Sequence, residues 1–221
     1  MSKVETVIFD MDGLMFDTEK IYFASNSKTA EELGMDYSFE TYSQFIGAGY
    51  DEEFKGMFDI FKDEELLERY YNRAGELVLD ALLNGPVDKK EGLIEILDYL
   101  KAENIPAVVA SSTHRELVLK LLDRLEVTEY FKDVVGGDEV PSAKPDPAIF
   151  NLAFEKTGVA NRENAIVLED SRNGLLAANG AKIPAIWVPD LLEPTEELKS
   201  LATATMANLH DVIDYIENKN K

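Results

Sequence analysis

Short apolar runs alternate along the chain with stretches whose apolar residues recur at helical spacing. Val4 to Phe9 reads as a short buried strand, cut off by Asp10-Met11-Asp12-Gly13. From Thr18 to about Leu83 the pattern becomes helical, rich in aromatics and acids, and broken by Gly34, by Gly47-Ala48-Gly49 and by Asn84-Gly85-Pro86. Beyond Pro86 strand and helix alternate regularly. A helix presenting Leu93, Ile96, Leu97 and Leu100 precedes a strand over Ile105 to Ala110. Thr113 is expected to cap the next helix, with Glu116 completing a capping box and Leu117, Leu121, Leu122 and Leu125 on its apolar face. There follow a short strand near Val134-Val135, a loop through Pro141 to Pro145, and a helix with Asp146 as N-cap and Pro147 at its first position. Ala165 to Leu168 predicts a strand, Leu175 to Ala178 lies in a helix, and Ala185 to Val188 predicts another strand. Leu209, Val212, Ile213 and Ile216 predict a C-terminal amphipathic helix, with Asn218 to Lys221 expected to fray.

Alternating strands and helices imply an α/β fold with a parallel, Rossmann-like sheet covered on both faces. The helical block after the first strand is then an inserted cap. The expected division is a core of residues 1–16 and 85–221 and a cap of residues 17–84, with hinges near Met15 to Asp17 and Asn84 to Asp88. A chain of 221 residues accommodates one main domain with a smaller one, and no internal repeat or low-complexity tract is present.

Charge narrows the partners. Lys and Arg number 22 against 43 Asp and Glu, a net charge of −21, so nucleic acid and anionic membrane surfaces are not expected partners. The apolar runs are too short to span a bilayer, and Met1-Ser2-Lys3 leads directly into the first strand without a secretory leader. The chain has no cysteine, which removes disulfides, thiol catalysis and Cys-ligated zinc and fits a cytoplasmic location. With only His114 and His210, a His-rich metal site is also excluded. No obligate protein partner is evident.

In open parallel sheets, ligands bind beyond the carboxyl ends of the strands. Here those ends carry Asp10 and Asp12, then Ser111-Ser112-Thr113, then Lys144 in the loop after the third strand, then Glu169-Asp170. Asp10 and Asp12, two residues apart, point the same way at about 7 Å and leave room for one reacting phosphorus. Such crowded carboxylates call for a hard divalent cation with oxygen ligands, and Mg²⁺ fits best. Lys144 can hold a phosphate oxygen and a carboxylate together, while Ser111 and Ser112, just ahead of a helix, offer hydroxyl and backbone N–H donors. Any one of these elements alone is more often a turn or a helix cap. Their recurrence at successive strand ends is what points to a site.

Taken together, these residues resemble the haloacid dehalogenase superfamily, in the branch with a helical cap after the first strand. Asp10-Met11-Asp12-Gly13, Ser111, Lys144-Pro145 and Glu169-Asp170-Ser171 are similar to its four motifs, and Phe9 to Leu14 with Val167 to Gly174 resembles the β-phosphoglucomutase-like phosphatases. The resemblance implies a Mg²⁺-dependent phosphatase of small phosphorylated metabolites, with sugar phosphates foremost. Asp10 is then the nucleophile forming an aspartyl phosphate, and Asp12 the general acid and base. Metal ligation falls to Asp10, the Asp12 carbonyl, Asp170 and Glu169, and phosphate binding to Ser111, Ser112 and Lys144. β-Phosphoglucomutases carry His and Arg where Tyr22 and Tyr50 stand here, which favours hydrolysis over a phosphohexomutase reaction. Arg73, late in the cap, is a further candidate substrate contact. Trp187 is expected to pack rather than to stack on substrate. A phosphoacceptor signalling module, or a binding protein built on the same acids, is the alternative of another class. It is disfavoured because Asp10 ends the first strand.

Overall fold

The apolar runs pair into one sheet. In the computed structural model, which describes residues 3–191 and 195–221, the strands are β1 (Thr6–Phe9), β2 (Ala107–Ala110), β3 (Phe131–Val135), β4 (Ala165–Glu169), β5 (Ala185–Trp187) and β6 (Ala204–Thr205). They lie in the order β3-β2-β1-β4-β5-β6, and every neighbouring pair is parallel. The order reverses at β1, so the crevice beyond its carboxyl end is flanked by the ends of β2 and β4.

Side chains of each strand alternate between two cores. Val7 and Phe9 of β1, Val109 of β2 and Leu168 of β4 face the helices α5 (Leu93–Ala102), α6 (Arg115–Arg124) and α10 (Leu209–Asn220). Ile8, Val108 and Val167 face the opposite layer, built by α7 (Ala148–Thr157) and α8 (Arg172–Gly180), with Leu198 of α9 (Glu196–Leu201) at its edge. Both faces being dry, the strands carry continuous apolar runs. Each fully buried Val, Leu, Ile or Phe contributes about 1.5–3 kcal/mol.

Between β1 and α5 lie α1 (Glu19–Leu33), α2 (Phe39–Ser43), α3 (Tyr50–Phe61) and α4 (Glu64–Asn84). Ala30, Met57, Leu67 and Tyr70 form a separate apolar cluster among them, whereas Val78 and Leu82, at the far end of α4, join the sheet core. The two chain crossings run side by side: Asp17 N–H donates to Asp88 O at 2.9 Å and Lys90 N–H to Met15 O at 2.9 Å. Arg124 of α6 donates to the carbonyls of Leu82 and Gly85, satisfying acceptors that the end of α4 leaves open. The loop joining α2 and α3 sits directly on the core. A Cβ on Gly47 would lie 2.6 Å from Ser171 Oγ, and one on Gly49 would lie 2.4 Å from the Ala143 side chain.

Local expectations fail where a side chain has a better partner elsewhere. Thr113 does not cap α6; that helix starts one residue later, and its Arg115 N–H donates to Asp138 Oδ1 at 2.7 Å. Pro147, not Asp146, is the N-cap of α7, although Asp146 Oδ1 still accepts from Ala148 N–H. The strand expected over Ala185 to Val188 ends at Trp187, and the two-residue strand β6 was too short to carry a period. The C-terminus does not fray: α10 runs to Asn220, whose side chain accepts from Val4 N–H at 2.8 Å and donates to Val4 O at 3.2 Å. Met1 and Ser2, and with them the start of the leaderless expectation, lie outside the described residues. Among the described residues no helix is long and apolar enough to cross a membrane.

Candidate active site

Asp10 leaves the end of β1 buried and only 6% exposed, with its backbone N–H donating to Leu168 O at 3.0 Å. Lys144 Nζ lies between two carboxylates, donating to Asp10 Oδ1 and, at 2.6 Å, to Glu169 Oε1. The other Glu169 oxygen accepts from Ser171 N–H at 2.8 Å and Ser171 Oγ at 3.0 Å. Both Glu169 oxygens are thus committed to protein donors, and its first role is to orient Lys144. Asp170 stands beside it, 4% exposed, with its carbonyl accepting from Trp187 Nε1 at 2.7 Å. Trp187 is fully buried and packs in the sheet core, as expected.

Asp12 is held from the opposite side by hydroxyls. Its Oδ1 accepts from Thr18 Oγ1 at 2.9 Å, and its Oδ2 from Ser111 Oγ at 3.1 Å and Thr113 Oγ1 at 2.9 Å. Thr113 fails as a helix cap because it is turned toward this carboxylate. The hydroxyl of Ser111, expected to meet phosphate, is likewise committed: it donates to Asp12, accepts from Thr113 N–H at 3.0 Å, and is fully buried.

A cavity of about 230 Å³ opens over these groups, lined on its floor by Asp10, Asp12, Ser112, Thr113, Lys144 and Asp170. The helices above add Glu19, Tyr22, Asn26, Tyr42 and Glu53. Ser111 and Glu169 lie behind this lining. Tyr22 is brought to the site; Tyr50 and Arg73 are not. Tyr50 is 60% exposed and stacks on Phe54 and Tyr71 instead. Arg73 faces solvent, donating to Glu32 at 2.8 Å and to Glu76 at 3.2 Å, the partners that an exposed helical Arg most readily finds. The sequence alone does not point to Glu19, Asn26 or Tyr42, whereas Glu53 belongs to the Asp51-Glu52-Glu53 run, which by its charge disfavours a polyanionic ligand near it. Their spacing is that of ordinary helix faces, and only the packing of α1 through α3 over the sheet turns them inward.

Burial sets the electrostatics. It pushes the Asp10 carboxyl well above the usual range, with Lys144 opposing and Glu169 and Asp12 reinforcing. Asp170 is raised in the same way, by burial first and then by Glu169 and Asp10. Burial also raises Asp12, against the three hydroxyls that donate to it. For Lys144, burial acts downward, but Asp10 and Glu169 outweigh it and hold the ammonium above the usual lysine range. Glu19 and Glu53 are each pushed up to about 7 by burial, in Glu19 against the Tyr42 hydroxyl that donates to it.

Carboxylate oxygens of Asp10, Glu169 and Asp170 lie within 4.8 Å of one another, all three residues buried. Only a glycine fits beneath them: a Cβ on Gly13, whose φ is +78°, would lie 2.4 Å from Asp170 Oδ2. Buried carboxylate oxygens around a small space, two of them on Asp10 and Asp170 whose ionisation burial opposes, are the donor set that a hard divalent cation suits.

A stability consequence follows from these raised carboxyls. A carboxyl harder to ionise in the folded protein than in the unfolded chain stabilises the fold fully below its unfolded value, 4.5 for Glu19, and this contribution is lost as pH rises through about 7. In chelator, thermal unfolding followed by circular dichroism is expected to show a lower Tm at pH 8 than at pH 5.5. Glu19→Gln cannot ionise and is expected to remove part of that slope, worth on the order of 2–3 kcal/mol. A variant slope equal to that of the wild type would place the titration elsewhere.

Comparison with known proteins agrees with this geometry. The family model described as haloacid dehalogenase-like hydrolase matches residues 7–188. A "phosphorylated carbohydrates phosphatase" of Thermotoga maritima is 34% identical over 187 residues, covering 83% of this chain and 84% of that protein. A "probable pseudouridine-5'-phosphatase" of Drosophila melanogaster is 31% identical, covering 96% of this chain and 92% of that one. The crystal structure of a β-phosphoglucomutase from Clostridium difficile superposes with a TM-score of 0.81 over 98% of this chain and 97% of that chain. At 22% identity, that last likeness is one of fold. With the strand-end acids, the bridging lysine and the helical cap in place, the chain belongs to the haloacid dehalogenase-like hydrolase family, as a phosphatase.

Proposed function

We propose that the protein is a Mg²⁺-dependent phosphatase that hydrolyses phosphate monoesters of small metabolites, sugar phosphates first among them, through an aspartyl-phosphate intermediate. Residues 1–16 and 85–221 act as the catalytic core and residues 17–84 as the cap. The observation that carries this reading is the convergence of Asp10, Asp12 and Lys144, the last bonded to Asp10, on the floor of one cavity. The name of the Thermotoga maritima relative, a phosphatase of phosphorylated carbohydrates, supports the substrate class.

Asp10 attacks phosphorus, and the bond from phosphorus to the ester oxygen breaks as the acyl phosphate forms. Asp12, whose buried carboxyl favours the protonated form, gives its proton to the departing oxygen. It then takes a proton from the water that attacks the acyl phosphate, freeing inorganic phosphate and restoring Asp10. Thr18, Ser111 and Thr113 hold Asp12 in place, so Ser111 acts here through the acid rather than on the phosphate. Lys144 steadies Asp10 and offers charge to a phosphoryl oxygen, with Ser112 beside it. Asp10, Asp170 and the Asp12 carbonyl would hold the metal, with the Glu169 carboxylate beside them. When bound, Mg²⁺ supplies the positive charge that offsets the acids and polarises the phosphoryl group.

Purified protein is expected to release phosphate from sugar monophosphates with Mg²⁺ and to fall to background in excess chelator. Ca²⁺ is expected to inhibit, because it takes more ligands at longer distances. Full activity in chelator would remove the metal. Rapid interconversion of β-glucose 1-phosphate and glucose 6-phosphate with little free phosphate would assign a phosphohexomutase instead.

A further inference from the structure

The wall of the cavity opposite the reacting acids is itself acidic. Glu19, only 8% exposed, begins α1, and its Oε2 accepts from the Tyr42 hydroxyl, which also reaches the Glu19 carbonyl at 3.2 Å. Among the described residues Glu19 Oε1 makes no hydrogen bond, and the residue lines the cavity together with Asn26, Tyr42 and Glu53. Of the described lining residues, Lys144 alone is a cation, and Asp10 and Glu169 already engage it. Glu19 is thus held at one oxygen by Tyr42, and its other oxygen is left open to the cavity, where a donor group of a ligand can reach it. A hydroxyl can donate to it; above pH about 7, where both acids are ionised, a second carboxylate or phosphate would meet Glu19 and Glu53 as like charge.

We propose that Glu19 is a specificity-determining residue: its Oε1 accepts a hydrogen bond from a hydroxyl of a neutral, polyhydroxylated leaving group, and with Glu53 it turns away phosphate esters that carry a second anion. This rests on the phosphatase reading above and adds the charge class of the substrate. Asn26, neutral and able to donate and accept, suits the same kind of group. Glu53 enters from α3 and Glu19 from α1, so two separate elements give this wall one sign.

The test measures kcat and KM of the full chain with Mg²⁺ on five compounds. Acetyl phosphate reports the core chemistry, glucose 6-phosphate and erythrose 4-phosphate have neutral leaving groups, and 2-phosphoglycolate and fructose 1,6-bisphosphate carry a second anion. The better of the two sugar monophosphates is expected to exceed both compounds that carry a second anionic group in kcat/KM by about tenfold or more. Glu19→Gln is expected to shrink that ratio about fivefold, mainly by raising KM for the sugar monophosphate and lowering it for phosphoglycolate. Tyr42→Phe, which releases Oε2, reads the same wall if Glu19→Gln fails to fold, and is expected to raise KM for the sugar monophosphate. Unchanged ratios in the folded variants, or a wild-type preference for phosphoglycolate or the bisphosphate, overturn the inference while acetyl phosphate turnover leaves the phosphatase reading standing. No phosphate release from any of the five compounds overturns both.

Discussion

Asp10→Asn is expected to lower phosphate release with Mg²⁺ by about ten-thousandfold or more, to the background of the assay, without loss of fold. The amide matches the carboxylate in shape but is neither a nucleophile nor a charged ligand. Two structural facts make the substitution mild for stability. Lys144 keeps Glu169 as a partner at 2.6 Å, and the Asp10 backbone N–H still donates to Leu168 O. Burial and the neighbouring acids already disfavour the ionised form of Asp10. Without metal, the variant is therefore expected to melt at or above the wild-type temperature. Adding Mg²⁺ should raise the Tm of the wild type more than that of the variant, because one charged ligand is missing. A variant that retains wild-type turnover would move the nucleophile to another residue.

Gly174→Ala is expected to be the most damaging single-methyl change near the site. An added Cβ would lie 1.7 Å from Glu169 Oε1 and 1.8 Å from its Cδ, so the carboxylate must leave its place. Glu169 is fully buried and holds Lys144, Ser171 N–H and Ser171 Oγ. Displacing it overpacks the start of α8 and breaks the hydrogen bonds from Ser171 N–H and Ser171 Oγ as well as the contact with Lys144, a loss of about 1–3 kcal/mol from the overpacking alone. Activity is expected to fall as well, since Lys144 loses one of the two anchors that aim it at Asp10. Gly75→Ala is the control: it lies mid-helix in α4, nothing sits within 4 Å of its added Cβ, and a gain of about 0.5–1 kcal/mol is expected. Urea unfolding of both variants reads the contrast. A Gly174→Ala protein as stable as the wild type would show that Glu169 can relocate without cost.

Much of the catalytic floor was legible because its parts are local. Asp10 and Asp12 lie just past the end of β1, and Glu169 and Asp170 lie at the end of β4 and one residue beyond it, so each pair reaches the crevice from one short segment. Lys144 was legible as a lone loop cation able to hold a carboxylate and a phosphate oxygen together. That it reaches both Asp10 and Glu169 depends on β3, β1 and β4 standing near one another, which no local pattern contains. Ser111 shows the opposite case. Its position at the end of β2 was read correctly, but its hydroxyl is taken by Asp12, a residue 99 positions away, because the β1–β2 pairing brings the two strand ends together. Arg73 and Tyr50 show how weakly a charge or an aromatic ring on a helix specifies its target: each has solvent and intrahelical neighbours as alternatives.

The layered α/β architecture, the helical insert after the first strand and the acids at the strand ends are all written in local pattern, because burial on both faces of a parallel sheet produces short continuous apolar runs. Only the tertiary structure decided which hydroxyls hold Asp12, that Glu169 aims Lys144, that the C-terminal Asn220 fastens Val4, and that Glu19 and Glu53 face the cavity. The physical reason is that a polar side chain has several partners of similar energy within reach, and which one it meets depends on contacts between elements far apart in the chain.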